Sequence, residues 1–413
     1  MSGKDVFVDK QKLSEWLFII GFCIAFFGSL RPWFLWPIDM YYPVLAAIPA
    51  FFALCLSHTM KNPVFKDKNW FFPLITYVIL QVYFLLAVQS NVNAYIALSF
   101  NVILYMALFR IDKRLLPDLT RCLAKVLASI LIVSIAWYFL YLLGFPLPSV
   151  DVDYKDGEYF FSNYYFFLLD DRFMFMLIPR FHSVFLEPSY LGTATVMLLM
   201  TQYGQWKKWY NIVLIIATFM TFSLEAYILF FILIFLNLWI MNKHVFAKAF
   251  ISVAIVAAVV IGSFYYKDGD NLINQLIVIR LEVEDGEMAG DNRVDTSFQN
   301  EFDNLISSSD IIFGRGAFDE TQYGEGNAGF RVFMFQYGLV GIILLLVFHL
   351  ITVKNASYYK LVIAAFLIVL LDFIVRAYPL VYAVFLPYYF LRSVNGFFLS
   401  LFLFGYSSPV NGS

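Results

Sequence analysis

Between residues 13 and 401 the chain is divided into apolar runs of 16–24 residues joined by mostly shorter polar segments. A helix rises 1.5 Å per residue, so about 20 such residues cross the roughly 30 Å hydrocarbon core of a bilayer. The runs lie at 13–30, 41–57, 70–88, 93–109, 122–145, 188–204, 208–223, 226–241, 247–265, 332–352, 361–376 and 378–401. Backbone polar groups cannot stay unpaired in hydrocarbon, and no ten-residue alternation of a barrel is present, so each run is expected to be one helix. The expected fold class is an all-α polytopic membrane protein of about 12 transmembrane helices, a single integral membrane domain over 1–413. Asp372, Arg376 and Arg392 interrupt the last two spans.

Composition agrees. Hydrophobic residues make up 61% of the chain and charged residues 14%, where soluble proteins carry about 25% charge. That is too little to cover a globular surface in water, which excludes a soluble enzyme and a disordered chain. A net charge of −2 lacks the basic footprint of a nucleic-acid binder. Cys23 and Cys55 lie inside apolar runs and Cys122 at the start of another, which predicts neither a disulfide framework nor a thiolate metal site. The first run is followed by Arg31-Pro32-Trp33 rather than a small-residue cleavage site, so it is expected to remain as an anchor.

Lysine and arginine set the orientation. With the N-terminus inside, 17 of the 28 basic residues fall in the N-terminal tail and short cytoplasmic joints, 14 of them lysine, as the positive-inside rule requires. An even number of spans then places both termini in the cytoplasm. Two long segments fall outside, 146–187 and 266–331. The outer side carries Arg31, Arg172, Arg180, Arg280, Arg293, Arg315, Arg331, Arg376 and Arg392 against only Lys155 and Lys267. A guanidinium grips phosphate or carboxylate with a two-pronged fork that an ammonium lacks. Most of these arginines are expected to pair with the many outer carboxylates, and a few to bind an anionic ligand.

Three stretches could carry chemistry. Arg180-Phe181-His182-Ser183-Val184-Phe185-Leu186-Glu187-Pro188-Ser189-Tyr190-Leu191-Gly192 leads from the first long loop into the sixth span. Pro188 marks the helix start and Glu187 its cap, where the helix dipole keeps a carboxylate ionised. Glu187 is either a plain cap or a base for a sugar hydroxyl, with Arg180 close by. Gly324-Glu325-Gly326-Asn327-Ala328-Gly329-Phe330-Arg331 opens the tenth span. It is either a flexible hinge or a set of backbone N–H groups that Arg331 completes as an anion site. Asp372 and Arg376 share one helix face near the outer end of the eleventh span, where an intrahelical ion pair is the simplest reading. Glu225 stands at the turn between the seventh and eighth spans, and Arg280 in a mixed apolar segment.

His58, His182, His244 and His349 are too scattered for a metal site. Asp151-Val152-Asp153 and Asp268-Gly269-Asp270 have the Asp-x-Asp form of metal-using glycosyltransferases, but such pairs arise by chance in acidic loops. Segment 151–162 misses the calcium-loop pattern at Lys155 and Ser162.

A dozen spans, two arginine-bearing outer loops and Phe185-Leu186-Glu187-Pro188-Ser189-Tyr190-Leu191-Gly192 together resemble the bacterial O-antigen polymerases of the Wzy family. The likeness covers the whole chain in topology and short stretches in sequence. Thr221-Phe222-Ser223 and Gly338-Leu339-Val340-Gly341 are similar to the wider superfamily, which includes the O-antigen ligases. Ligases carry a His-Asn pair ahead of that glycine pair, where this chain has Asn327-Ala328. The resemblance implies a GT-C-like, metal-independent glycosyltransferase of the bacterial inner membrane with no cofactor. Donor and acceptor would be undecaprenyl-pyrophosphate-linked oligosaccharides, and a Wzz-type chain-length regulator and membrane lipids would be its partners. On this reading Glu187 is catalytic, and Arg180, Arg280, Arg331, Arg376, Tyr190 and Asn327 bind substrate. The alternatives are an O-antigen ligase and, from another class, a transporter or lipid flippase. Transporters usually place ionisable residues near the bilayer midplane, whereas here they gather at the outer face.

Overall fold

The computed structural model describes residues 3–60, 63–154, 159–171, 178–202, 205–240, 250, 254, 258, 261–262, 265–266, 283–284, 287–288, 296–318, 323, 329–354, 359–375 and 380–391. Most of the described chain is helical. The apolar runs become α1 (Gly3–Gly28), α2 (Tyr42–His58), α3 (Phe71–Ala87), α4 (Val92–Arg110), α5 (Leu116–Leu142), α6 (Pro188–Thr201), α7 (Trp209–Met220) and α8 (Leu224–Ile240). After α9 (Thr296–Ile306) come α10 (Phe330–Val353), α11 (Tyr359–Val375) and α12 (Tyr382–Phe390). Among the described residues four stretches are long and apolar enough to cross a membrane: Lys10–Gly28, Val92–Arg110, Lys113–Leu142 and Phe330–Val353. Tyr42–His58, Phe71–Ala87, Trp209–Met220 and Leu224–Phe235 are shorter apolar helices. This is a helical, membrane-embedded protein. Most of the run at 247–265 and the end of the run at 378–401 lie outside the described residues.

Burial within these helices runs in stripes. On α5, Leu116, Leu119, Leu123, Leu127 and Leu131 are buried, the three- and four-residue spacing of one helix face. Val126, Ile132, Val133 and Phe139 are exposed on the rest of it. A large exposed apolar side chain is costly in water and at home in lipid, so the exposed stripes trace the hydrocarbon contact. On α2 the buried face is Ala46, Ala47, Ala50 and Ala53, small residues that let α1 approach closely. Deeper in, Tyr77 stacks on Tyr105 at 3.8 Å between ring centres, and Phe109, Phe348 and Phe385 extend the cluster.

The two ends of the bundle differ. At the lysine-rich end, segment 63–67 pairs with 110–112 through an antiparallel bridge between Phe65 and Ile111. Asp112 is gripped there by Lys66 at 3.0 Å and Arg114 at 2.7 Å. Its partial burial raises the carboxyl pKa, but those hydrogen bonds outweigh it and hold the group well below the usual carboxylate range.

The arginine-bearing end is built by the two long segments. In the first, β1 (Val150–Tyr154), β2 (Tyr159–Asn163) and β3 (Leu168–Asp170) form an antiparallel sheet in that order. Val150 faces Asn163 and Phe161 faces Asp170. The Asp-x-Asp pair is therefore strand alternation: Asp151 and Asp153 are exposed while Tyr154 is buried, two successive residues pointing to opposite faces. Tyr154, Phe161, Leu168 and Leu186 make the small core beneath. Asp268 and Asp270 lie outside the described residues.

The second long segment contains the hairpin β4 (Val283–Glu284) and β5 (Glu287–Met288) and then α9. Phe298, Phe302 and Leu305 of α9 lie on one face and bury against Val332 and Phe335 of α10. Helix α10 breaks at Gly338, where φ is +59°. The break frees three carbonyls, and each finds a donor. Arg315 N–H donates to Phe335 O at 2.7 Å and Gly316 N–H to Gln336 O at 3.2 Å. Tyr83 Oη donates to Tyr337 O at 2.8 Å. Below the break, Val340 N–H donates to Ile312 O at 3.0 Å. A Cβ on Gly338 would lie 2.5 Å from both Gly314 N and Ile312 O, so glycine is required by the crossing as well as by its φ.

Candidate functional site

The first segment reaches the bundle through its backbone. Trp33 N–H donates to Val184 O at 3.0 Å and Phe181 N–H to Met220 O at 3.1 Å, and Leu168 N–H reaches Ser183 O at 2.8 Å. These bonds seat residues 180–187 over the start of α6 and the turn between α7 and α8. His182 is wholly buried, and its Nδ1 meets the Phe185 carbonyl, closing the turn that aims the chain into α6. Five non-glycine residues with positive φ occur among the described residues, and four of them (Arg31, Tyr165, Ser183 and Phe222) flank this junction. Such conformations persist only where surrounding structure enforces them, and they concentrate at functional sites.

Glu187 is the residue preceding α6, with φ −136° and ψ 147°, and Pro188 follows in the first turn. That is the expected position. Its carboxylate makes no capping hydrogen bond to the helix backbone. It accepts one hydrogen bond, 3.0 Å from Ser189 Oγ, and among the described residues no cation pairs with it. Plain capping therefore does not account for Glu187. The group is half-buried, beside the N-terminal N–H groups of α6, where the helix dipole favours a negative charge.

Around it stand other polar groups. Arg180 is half-buried and its Nε donates to Thr221 O at 3.3 Å, which ties the guanidinium to the α7–α8 turn. Thr193 Oγ1 donates to Glu225 Oε1 at 3.1 Å, and Glu225 is only 8% exposed. Helices α6 and α8 approach this closely because Gly192 has no side chain: a Cβ there would lie 2.4 Å from the Ala226 Cβ. Tyr190 is half-buried in the first turn of α6, against the small core that includes Tyr154 and Leu186. Arg180, Glu187, Tyr190 and Glu225 are thus gathered at one helix junction. Asp372 is buried near the end of α11, which packs on α8.

The first segment also draws carboxylates together. Burial raises the pKa of Asp171, and the neighbouring charges of Asp151 and Asp170 raise it further.

Arg331 occupies a different setting, in the first turn of α10, where its Nη1 donates to Gln299 Oε1 of α9 at 2.8 Å. That partner is neutral, and among the described residues no carboxylate pairs with Arg331. Arg315 is the contrasting case: it pairs with Glu301 at 2.7 Å and Asp310 at 3.2 Å and lies 6.0 Å from the Phe335 ring centre. Arg280, Arg376 and Asn327 lie outside the described residues. Sequence reasoning did not single out Thr193 or Gln299. The available signal was the spacing of Phe298, Phe302 and Leu305, which marks a helix beside Arg331.

Comparison with known protein families, characterised proteins and solved structures returns no match.

Proposed function

We propose that this chain is a membrane glycosyltransferase of the O-antigen polymerase type. It would have about twelve spans in a GT-C-like arrangement in the bacterial inner membrane, with both termini in the cytoplasm. The observation that carries the reading is Glu187: a half-buried carboxylate at a helix start, engaged among the described residues by one hydroxyl and by no cation. A carboxylate so held can accept a proton from a substrate hydroxyl brought within hydrogen-bond reach.

The reaction follows from that assignment. Glu187 takes the proton of the acceptor sugar's hydroxyl as its oxygen attacks the anomeric carbon of the donor glycan. The bond from that carbon to the pyrophosphate oxygen breaks, and polyprenyl pyrophosphate leaves with the electron pair. The leaving group gains negative charge, which fixed guanidinium groups stabilise without rearranging. Arg331, paired among the described residues with a neutral amide, suits that role, and Arg180 lines the same junction as the base. Arg280 and Arg376 complete the proposed phosphate-binding set, with Tyr190 and Asn327 against the sugars. Both substrates carry long lipids, and a site at the edge of a lipid-facing bundle leaves their tails in the bilayer.

The test is a deletion strain. Loss of a polymerase leaves lipopolysaccharide bearing a single repeat unit, whereas loss of a ligase leaves bare core. The polymerase reading predicts the single-unit band and a full ladder on complementation. An unchanged ladder would remove it.

A further inference from the structure

The opposite, lysine-rich end holds a cavity of about 170 Å³ lined by Leu54, Ser57, His58, Pro63, Phe65 and Arg110. On the same measure a single water needs only about 10–15 Å³, so the space admits a phosphate group. Its wall is fixed by backbone bonds: Asp67 N–H donates to Arg110 O at 3.1 Å and Asp112 N–H to Val64 O at 2.8 Å. Phe65 N–H donates to Ser57 Oγ at 3.3 Å, which leaves the buried Ser57 hydroxyl hydrogen to be donated elsewhere. The floor, Leu54 and Phe65, is apolar.

Arg110 sets the chemistry. Its guanidinium lies 5.3 Å from the Trp70 ring centre, and among the described residues it has no carboxylate partner and makes no side-chain hydrogen bond. The acid nearest in sequence, Asp112, is already neutralised by Lys66 and Arg114. Segments 63–70 and 110–114 together hold five cationic and two acidic residues. Both α2 and α4 end here, and their C-terminal dipoles favour cations. Each is equivalent to about half a charge, which this cationic surplus exceeds. A two-pronged donor above an apolar floor, at the boundary of a lipid-facing bundle, matches a phosphate joined to acyl chains.

We propose that this cavity binds the phosphate of an anionic phospholipid, gripped by Arg110 with Ser57 and His58 as further hydrogen-bonding groups. The site is separate from the Glu187 junction and does not depend on the glycosyltransferase reading.

The experiment uses the full-length protein in mild detergent, titrated with dioleoylphosphatidylglycerol, dioleoylphosphatidylcholine or inorganic phosphate. Bound lipid is counted by native mass spectrometry. The wild type should retain one phosphatidylglycerol in preference to phosphatidylcholine. Arg110→Gln should weaken that binding about tenfold or more, the scale of a lost charge-assisted hydrogen bond. Arg110→Lys should restore part of it, and Arg114→Gln should leave it nearly unchanged. Equal retention of the two lipids, or undiminished phosphatidylglycerol binding by Arg110→Gln, would overturn the proposal. Displacement of the lipid by inorganic phosphate at comparable concentration would overturn the lipid assignment. Should Arg110→Gln fail to accumulate, the lipid preference of the wild type and the Arg110→Lys and Arg114→Gln proteins decide the matter.

Discussion

The two long segments at the arginine-bearing end are attached to the bundle in different ways. Residues 150–187 are held by backbone bonds from Val184 to Trp33 and from Phe181 to Met220 and by chain turns with positive φ. Residues 296–316 are held by apolar packing of Phe298, Phe302 and Leu305 and by backbone bonds of Ile312, Arg315 and Gly316 to the break in α10, while the ion pairs of Arg315 to Glu301 and Asp310 close within the segment. In the first segment polar side chains stay available, and among the described residues the Glu187 carboxylate is engaged only by Ser189. In the second segment ion pairing consumes them, and Arg315 is committed to two carboxylates of the same segment. A polar side chain that is not spent on pairing within its own segment can serve chemistry; one that is spent, like Arg315, cannot.

The largest expected effect breaks the second attachment. Gly338→Ala puts a side chain into the backbone of Gly314 and Ile312 and into a left-handed conformation. Overpacking of about 1–3 kcal/mol adds to about 1–2 kcal/mol for the conformation. The melting temperature in detergent should fall sharply, or the protein should fail to accumulate. A melt within about 2 °C of the wild type would show that α9 and the crossing do not hold the segment.

Much of the helical framework was readable because apolar runs of spanning length have one physical solution in lipid. The joints were harder. Val150-Asp151-Val152-Asp153-Tyr154 has strand alternation, yet its acid pair reads in sequence as a chance pairing in an acidic loop rather than as the outer face of a sheet. Helix α9 hides in a long polar segment, since four apolar residues in eleven, only three of them on one face, make a weak stripe until a partner covers them. The break at Gly338 depends on Gly314, twenty-four residues earlier, and no local pattern announces a backbone crossing. Glu187 was readable as a helix start from Pro188. Its partner Ser189 and the Thr193–Glu225 bond were not, because they depend on rotamers and on how closely Gly192 lets α6 approach α8.

Two arginines sharpen the comparison next. Arg331→Gln should lower glycan transfer by about 100-fold, the scale of removing one fixed donor to developing charge, with little change in the melt. Arg315→Gln should act in reverse, shifting stability by about 1 kcal/mol or less because its pairs are partly exposed, with transfer retained. Equal effects of the two on transfer would erase the distinction between committed and available arginines.

Acid titration gives the smallest effect, and the two ends should respond with opposite sign. Asp112 has a depressed pKa, so its pairing contributes fully above the unfolded carboxylate value near 4 and is lost as pH falls toward the lower folded value. Asp171 has a raised pKa; the penalty on its charged form is relieved as pH falls through that raised value. Between pH 6 and 3, Asp112→Asn should flatten the acid loss of stability and Asp171→Asn should steepen it. Parallel curves for both variants would refute the assignment of these shifts.

The central claim is that Glu187 is free to take a proton. The most direct measurement is polymer formation by purified protein from polyprenyl-pyrophosphate-linked repeat units, comparing the wild type with Glu187→Gln. The account predicts that Glu187→Gln melts like the wild type yet loses at least about 100-fold in transfer, the contribution of a positioned base. Polymer formed at the wild-type rate by that variant would contradict it.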